Sequence, residues 1–452
     1  MNPIAALDVF LRARQLDTPH ITGLVVALSG GPDSMALLAA VALRAVELNY
    51  SLRAVHIHHG LQVEADAWAA QAVRQAQALA VPAAVLRVAV SQSQASLEGA
   101  AREARYSALM GDCGVHEALL LGHHRDDQAE TLLLRLMRGA GLQGLAAMRG
   151  QSSWRMASGE IRERWRPWLG VSREQLMRWL DEHLSLRRLQ LGPASGFAEA
   201  AALTPVQDPA NADPRFARTT LRHDILPRLE RFWPDASVQI AQSAVHLAQQ
   251  AQALDSLADI VLTPWLAENA NCIEISGLLA LPAAVYQTLI ARWLQRSGAP
   301  ALPRRYWPRV SAELLQTRSD AQPQLAWAGW SLRRYRERIY IVRDEDVQAL
   351  PAGVAWPDPR QPIEWAEQLW SVEQLCPELA ANSPALSKPW RLAARQGGER
   401  YRPLPELPSK RVKHWCQETH IPPWQRDRVA CVWAGDEVVA LKLVPSQAPV
   451  QL

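Results

Sequence analysis

Four short stretches of this 452-residue chain place reactive side chains beside glycine or at helical spacing. The first is Ser29-Gly30-Gly31-Pro32-Asp33-Ser34. Two adjacent glycines let the backbone approach a ligand closely, and the hydroxyls and carboxylate surround the turn. The amides and dipole of a helix start there favour an anion such as phosphate. No Gly-Lys-Ser/Thr follows, so this is not a Walker A loop. A plain capped strand–turn–helix connection is the competing reading. The second stretch is His56-Ile57-His58-His59-Gly60-Leu61. A metal reading is weakened because His56 and His58 share a strand face with no matched ligand set nearby. A loop touching a nucleotide, or a structural turn at Gly60, fits better. The third, Glu98 to Tyr106, carries Arg102 and Arg105 three apart. Their guanidiniums suit phosphate, or form a solvated face with Glu98 and Glu103. The fourth is Gly122-His123-His124-Arg125-Asp126-Asp127-Gln128-Ala129-Glu130-Thr131. Asp127, Glu130 and Thr131 fall on one helical face, where paired carboxylates could hold a cationic amine or magnesium. Acids capping an ordinary helix start are the plainer alternative.

The elements around these stretches alternate. Strands are expected at 24–28, 52–57, 84–89 and 118–121, and helices at 34–48, 64–79, 96–111 and 126–138, with Ser96 as an N-cap. Such alternation predicts a Rossmann-like parallel sheet covered on both faces, with ligands beyond the carboxyl ends of its strands. All the candidate stretches fall at that end of the sheet.

Size and composition set the outer limits. The length predicts two or three domains. With 48% hydrophobic and 21% charged residues the chain reads as globular. No apolar stretch reaches a membrane span, and Met1 to Gln15 lacks a signal-peptide core, so a cytoplasmic location with no membrane partner is expected. Cys113, Cys272, Cys376, Cys416 and Cys431 are scattered and form no Cys-x-x-Cys, which argues against disulfides, zinc ribbons and iron–sulfur clusters. A net charge of +3 is a weak sign of nucleic acid, but local basic stretches are stronger.

The Ser29–Ser34 string resembles the pyrophosphate loop of the N-type ATP pyrophosphatases. Together the four stretches, with Arg138 to Leu145, resemble the tRNA(Ile)-lysidine synthases. The likeness continues through Arg166-Pro167-Trp168-Leu169, through Asp208 to Asp213 with Arg215, Phe216, Arg218 and Arg222, and through Arg395 to Arg400 and Pro422 to Arg426. Trp168 stands where that family has Leu, Pro209-Ala210 departs from its Asp-x-Ser-Asn, and Ala430 replaces a usual Pro. Residues 192–202 read as a loop insertion. The resemblance implies ATP-dependent ligation of free L-lysine to C2 of the wobble cytidine of a tRNA(Ile) with a CAU anticodon. An adenylated intermediate forms with loss of pyrophosphate, and AMP then leaves. It implies a C–N ligase using ATP and Mg²⁺. Ser29, Gly30, Gly31, Pro32, Asp33, Ser34 and His59 would bind ATP, Asp33 would hold the metal, and Arg102 and Arg105 would contact phosphate. Asp33, Asp127 and Glu130 would be catalytic, the last two also binding lysine. Arg166, Arg215, Arg218, Arg334, Arg400 and Arg426 would contact tRNA.

The rest of the chain suits an RNA substrate. Residues 150–190 mix Arg with Trp, a pattern for phosphate contact and base stacking or for an amphipathic helix. Residues 221–300 read as helical. Leu332 to Val342 alternates like one strand with Arg on an exposed edge. The expected domains are a catalytic 1–218, a mainly helical tRNA-binding 219–345, a Pro-containing linker at 346–362, and a small mixed α/β tRNA-binding domain at 363–452. A homodimer is left open. The competing functions are a tRNA cytidine thiolase, which wants paired cysteines this chain lacks, an amidotransferase-like ligase without its Cys/His pattern, and a non-catalytic RNA-binding protein.

Overall fold

The computed structural model describes residues 2–60, 62–89, 97–156, 159–206, 215, 217–267, 269–318, 321–375, 384–402 and 408–444, with backbone alone at 97–102, 187–201 and 384–385. They form two compact units, Met1–Leu254 and Asp255–Leu452.

The first unit begins with α1 (Pro3–Asp17), β1 (Gly23–Ala27), α2 (Pro32–Ala45), β2 (Ser51–His58), α3 (Ala65–Ala78) and β3 (Ala83–Arg87). It continues with α4 (Leu97–Asp112), β4 (Glu117–Leu120), α5 (Arg125–Met137), the short α6 (Leu142–Leu145), β5 (Gln151–Arg155) and β6 (Ile161–Trp165). The strands lie in the order β3-β2-β1-β4-β6-β5. All neighbours are parallel except the antiparallel β5–β6 pair at one edge. Successive side chains of a strand face opposite ways, so a sheet covered on both faces needs strands that are apolar throughout. In β1, Leu24 and Val26 enter a core with Leu7 of α1 and Leu37 of α2, while Val25 enters a second core with Leu109 and Met110 of α4. β4 divides in the same way, Ala118 and Leu120 against Leu119. The chain runs outward from β1 through β2 to β3, then returns to β4 on the other side of β1. Their carboxyl ends therefore border the crevice at which open α/β sheets bind ligands.

Helix α7 (Arg173–Ala202) packs beside α2 and α3, with Leu176, Leu180 and Leu184 in the first core. Residues 192–202, expected as a loop insertion, continue this helix: their five alanines favour it, while Gly192, Pro193 and Gly196 oppose it. The short α8 (Ala217–Thr220), a π-helical turn at Leu221–Ile225 and α9 (Leu226–Phe232) lead into the long α10 (Ala236–Leu266), which carries the division between the units.

In the second unit β7 (Cys272–Glu274), α11 (Ile275–Leu279), α12 (Ala283–Arg296) and the short α13 (Trp307–Arg309) precede β8 (Gln324–Trp327), β9 (Trp330–Tyr335) and β10 (Arg338–Arg343). The helices pack Trp293, Leu289 and Ile290 against Leu325, Leu332 and Ile339 of the sheet β7-β10-β9-β8. The stretch Leu332 to Val342 is thus a hairpin rather than one strand. It turns at Arg336, whose φ is +56°, and β9 and β10 are interior strands rather than an exposed edge. Further along come β11 (Val354–Trp356), a small ribbon of β12 (Ile363–Trp365) and β13 (Gln368–Trp370), and α14 (Val372–Leu375). They are followed by β14 (Trp390–Ala394), β15 (Arg400–Tyr401), β16 (Lys410–Arg411), α15 (Val412–Glu418), β17 (Val429–Ala434) and β18 (Glu437–Leu443). β11 pairs with β14, so the proline-containing stretch expected as a linker supplies an edge strand of the last sheet.

Candidate active site

At the end of β1 the chain turns through Gly30, at φ +86°, and enters α2 with Pro32 in its first turn. The positive φ is one that a side chain resists. Inside the turn Ser34 Oγ accepts from Ser29 N–H at 3.2 Å and lies 3.0 Å from both Ser29 Oγ and Gly31 O. No side chain caps α2, which leaves its first amides available to an anion. The end of β4 presses on this turn: a Cβ on Gly122 would stand 2.9 Å from Asp33 O and 3.1 Å from its carbonyl carbon. Only glycine lets the two strand ends meet so closely.

His124, next but one, is the N-cap of α5. Its Nδ1 accepts from Asp127 N–H, and Asp127 Oδ2 accepts from His124 N–H at 3.1 Å. The imidazole is buried, with Nε2 3.4 Å from Asp127 and 3.8 Å from Asp33. Asp33 Oδ1 is buried and accepts no hydrogen bond among the described residues, and Arg173 Nε stands 3.4 Å away. A carboxylate oxygen with ion-pair neighbours but no hydrogen bond fits a magnesium ion.

The cavity at this junction has a volume of about 500 Å³ and is lined by residues of β1, α2, β2, α3, α4, α5 and α8 and of the turns that follow β1 and β4. It brings together Ser29, Gly31, Asp33, Ser34, His59, Arg105 and Asp127. His56 and His58 line it as well. His56 is buried and Nδ1 meets Leu28 O at 2.9 Å, while His58 meets Asp66 at 3.1 Å. Burial lowers the His56 pKa below the usual histidine value, despite its hydrogen bond to the Leu28 carbonyl. Trp68, from α3, lines the cavity too, although nothing in its alanine-rich sequence context marked it.

The acid pair has partners. Glu130, fully buried behind Asp127, receives Arg218 Nε at 2.5 Å and Arg222 Nε at 2.6 Å. Asp127 receives Arg218 Nη2 at 2.7 Å and Arg222 Nη2 at 3.2 Å. Burial opposes the charge on Asp127, yet His124 and Arg218 outweigh it and hold its carboxyl below the usual range. Burial likewise opposes Arg218 and Arg222, and the two carboxylates hold both pKa values above the usual arginine value. The result is a closed quartet of two acids and two guanidiniums at the cavity wall. Arg218 is thereby drawn into the quartet, and Arg222, named only as part of a downstream arginine pattern, becomes a site residue.

The other expected arginines are dispersed. Arg166 is buried and donates to Arg149 O at 3.1 Å and to His123 Nδ1 at 3.3 Å. Arg215 is exposed. Arg334 is only 3% exposed and donates to Leu314 O, Leu315 O and Arg336 O, so it caps backbone rather than facing solvent. Arg400 is exposed and donates to Ser409, and Arg426 reaches Ile421 O and Tyr335 Oη. The side chain of Arg102, like Ser96 and Asp208 to Asp213, lies outside the described residues. In the second unit Trp424 packs edge-on against Tyr335 and Tyr340 with Arg333 over its face, and Arg336 lies over Tyr335. Cys113, Cys272, Cys416 and Cys431 are buried thiols, and burial pushes Cys113 and Cys431 up to about 12. Among the described residues no helix is long and apolar enough to cross a membrane.

A parallel sheet with this glycine turn at its switch point is a PP-loop domain, and residues 11–187 match that family. Residues 274–340 match the TilS substrate binding domain and residues 390–449 the TilS substrate C-terminal domain. The tRNA(Ile)-lysidine synthase of Xanthomonas campestris pv. campestris is 34% identical over 459 residues, covering 97% of this chain and 95% of that protein. Those of Alkalilimnicola ehrlichii and Ralstonia nicotianae are each 37% identical, covering 93% and 94% of this chain and 89% and 90% of theirs. The chain belongs to the tRNA(Ile)-lysidine synthase family.

Proposed function

We propose that the chain ligates free lysine to C2 of the wobble cytidine of a tRNA(Ile) with a CAU anticodon, using ATP split between its α- and β-phosphates. The observation that carries this reading is one cavity shared by the glycine turn and by Asp127, Arg218 and Arg222 of the acid–arginine quartet. The C2 oxygen of cytosine attacks the α-phosphate and pyrophosphate leaves. The ε-amine of lysine then displaces AMP. Donors set in place before reaction stabilise charge as it grows on the leaving group. Here those donors are the amides of Gly31 and the first turn of α2, with Arg105 also lining the cavity. Asp33, whose Oδ1 accepts no hydrogen bond among the described residues, would hold Mg²⁺, which supplies charge neutralisation at the phosphates.

The quartet shapes the lysine reading. Free lysine carries an α-carboxylate as well as its amines. Arg218 and Arg222 suit the carboxylate, and Asp127 and Glu130 suit an ammonium, so a zwitterion can exchange with the internal ion pairs at little net change in charge. A carboxylate of the pair accepts the proton that makes the amine nucleophilic. In the second unit, Trp424, Tyr340 and Arg333 offer stacking and phosphate contact to RNA. Incubation with ATP, labelled lysine and a tRNA bearing CAU tests the reading. Lysine incorporation with release of AMP and pyrophosphate is expected. ADP as product, or transfer without ATP, would overturn it.

A further inference from the structure

Against the glycine turn lies the segment that follows α7. Val206 N–H donates to Gly30 O at 2.9 Å. Gln75, from α3, donates through Nε2 to the same oxygen at 3.0 Å and to Thr204 O at 3.0 Å. One helical turn earlier, Gln71 Nε2 donates to Ala202 O at 2.8 Å and to Thr204 O at 3.0 Å. Val206 also packs against Gly30, since a Cβ there would stand 3.0 Å from Val206 Cγ2. Gly31 lines the cavity, and its N–H makes one long bond inside the turn, to Ser29 Oγ at 3.4 Å, which a phosphate oxygen would replace. The Gly30 carbonyl is the anchored end of the turn.

A trans peptide is planar, so its C=O and the following N–H point in opposite directions. Two donors on Gly30 O therefore fix the direction of Gly31 N–H. A peptide between two glycines flips more readily than any other, because neither residue restricts it. A flip here would turn the amide away from the phosphates and put a carbonyl oxygen in its place. Gln75 is fully buried, and its Oε1 has no hydrogen-bond partner among the described residues. Burying that acceptor unpaired costs stability, so the donor end must be what the position requires.

We propose that Gln75, acting with the Val206 amide, is a positioning residue that locks the Gly30–Gly31 peptide with Gly31 N–H facing the leaving pyrophosphate. This rests on the reading of the turn as a pyrophosphate cradle. In the full-length protein, Gln75→Met keeps the volume and removes the donor. Inhibition by pyrophosphate should weaken about tenfold, the size of one lost hydrogen bond, and kcat/KM for ATP should fall with it. Inhibition by adenosine, which has no phosphate, and KM for lysine should stay unchanged. Val206→Pro deletes the second donor without touching Gln75 and should give the same split, which covers the case in which Gln75→Met folds poorly. Equal weakening of pyrophosphate and adenosine, or no change in either, overturns the proposal. Wild-type protein that releases no pyrophosphate from ATP would instead refute the cradle reading itself.

Discussion

Replacing Glu130 with Gln is the sharpest perturbation of the quartet. The substitution keeps the shape and removes the charge from a side chain that is 1% exposed. Both its oxygens accept from guanidiniums, Oε1 from Arg222 and Oε2 from Arg218 and Arg222. Without that charge, Asp127 alone faces two guanidiniums, and the amide nitrogen introduced by Glu130→Gln turns a donor toward donors. Breaking a fully buried pair costs about 3–5 kcal/mol. Arg218 and Arg222 are 30% and 26% exposed, so water recovers part of their hydration. The expected loss is therefore smaller, about 2–3 kcal/mol. Over a unit of this size that is a fall in Tm of about 5–10 °C. Urea unfolding followed by tryptophan fluorescence measures it, and KM for lysine, measured on the folded fraction, should rise. A variant within about 0.5 kcal/mol of wild type, the range of ordinary surface changes, would refute the reasoning that this carboxylate compensates both arginines.

Other perturbations reach the remaining parts of the site. Asp33→Ala should abolish pyrophosphate release while tRNA binding survives, and a gel-shift showing lost binding alone would contradict the assignment. Gly122→Ala must move the first turn of α2, because its methyl would meet Asp33 O at 2.9 Å. KM for ATP should rise at least about tenfold, and an unchanged KM would show that the contact is soft. Burial lowers the His56 pKa below the usual histidine value. As pH falls below about 6.5 the unfolded chain gains a proton that the folded chain refuses. Stability should therefore decline through that window and level off below the lowered folded pKa. His56→Asn should flatten the slope measured by urea midpoints across pH 5–7, and an identical slope would exclude His56 as its source.

Much of the fold is legible along the chain because its signals are local. The apolar run before Ser29, the glycines of the turn and the acids opening α5 each declare themselves within about ten residues. The alternation of strands and helices then implies a parallel sheet and places the turns at one end of it. The hairpin at Tyr335 to Arg338 looks like one strand in the sequence because its turn contains no glycine, proline or asparagine, and Arg336 instead adopts positive φ.

Partnership is what the sequence could not show. Its residues alone determined a glycine turn between strand and helix, a two-face sheet and an acid pair on one helical face. Only the folded chain decided that Arg218 and Arg222, some ninety positions later, close over Asp127 and Glu130. It likewise sent Arg334 inward to cap carbonyls and brought Gln75 and Val206 against Gly30. Guanidiniums and amides take whichever acceptor the backbone brings within about 3 Å. That proximity is set by how helices pack across a sheet, not by spacing along the chain.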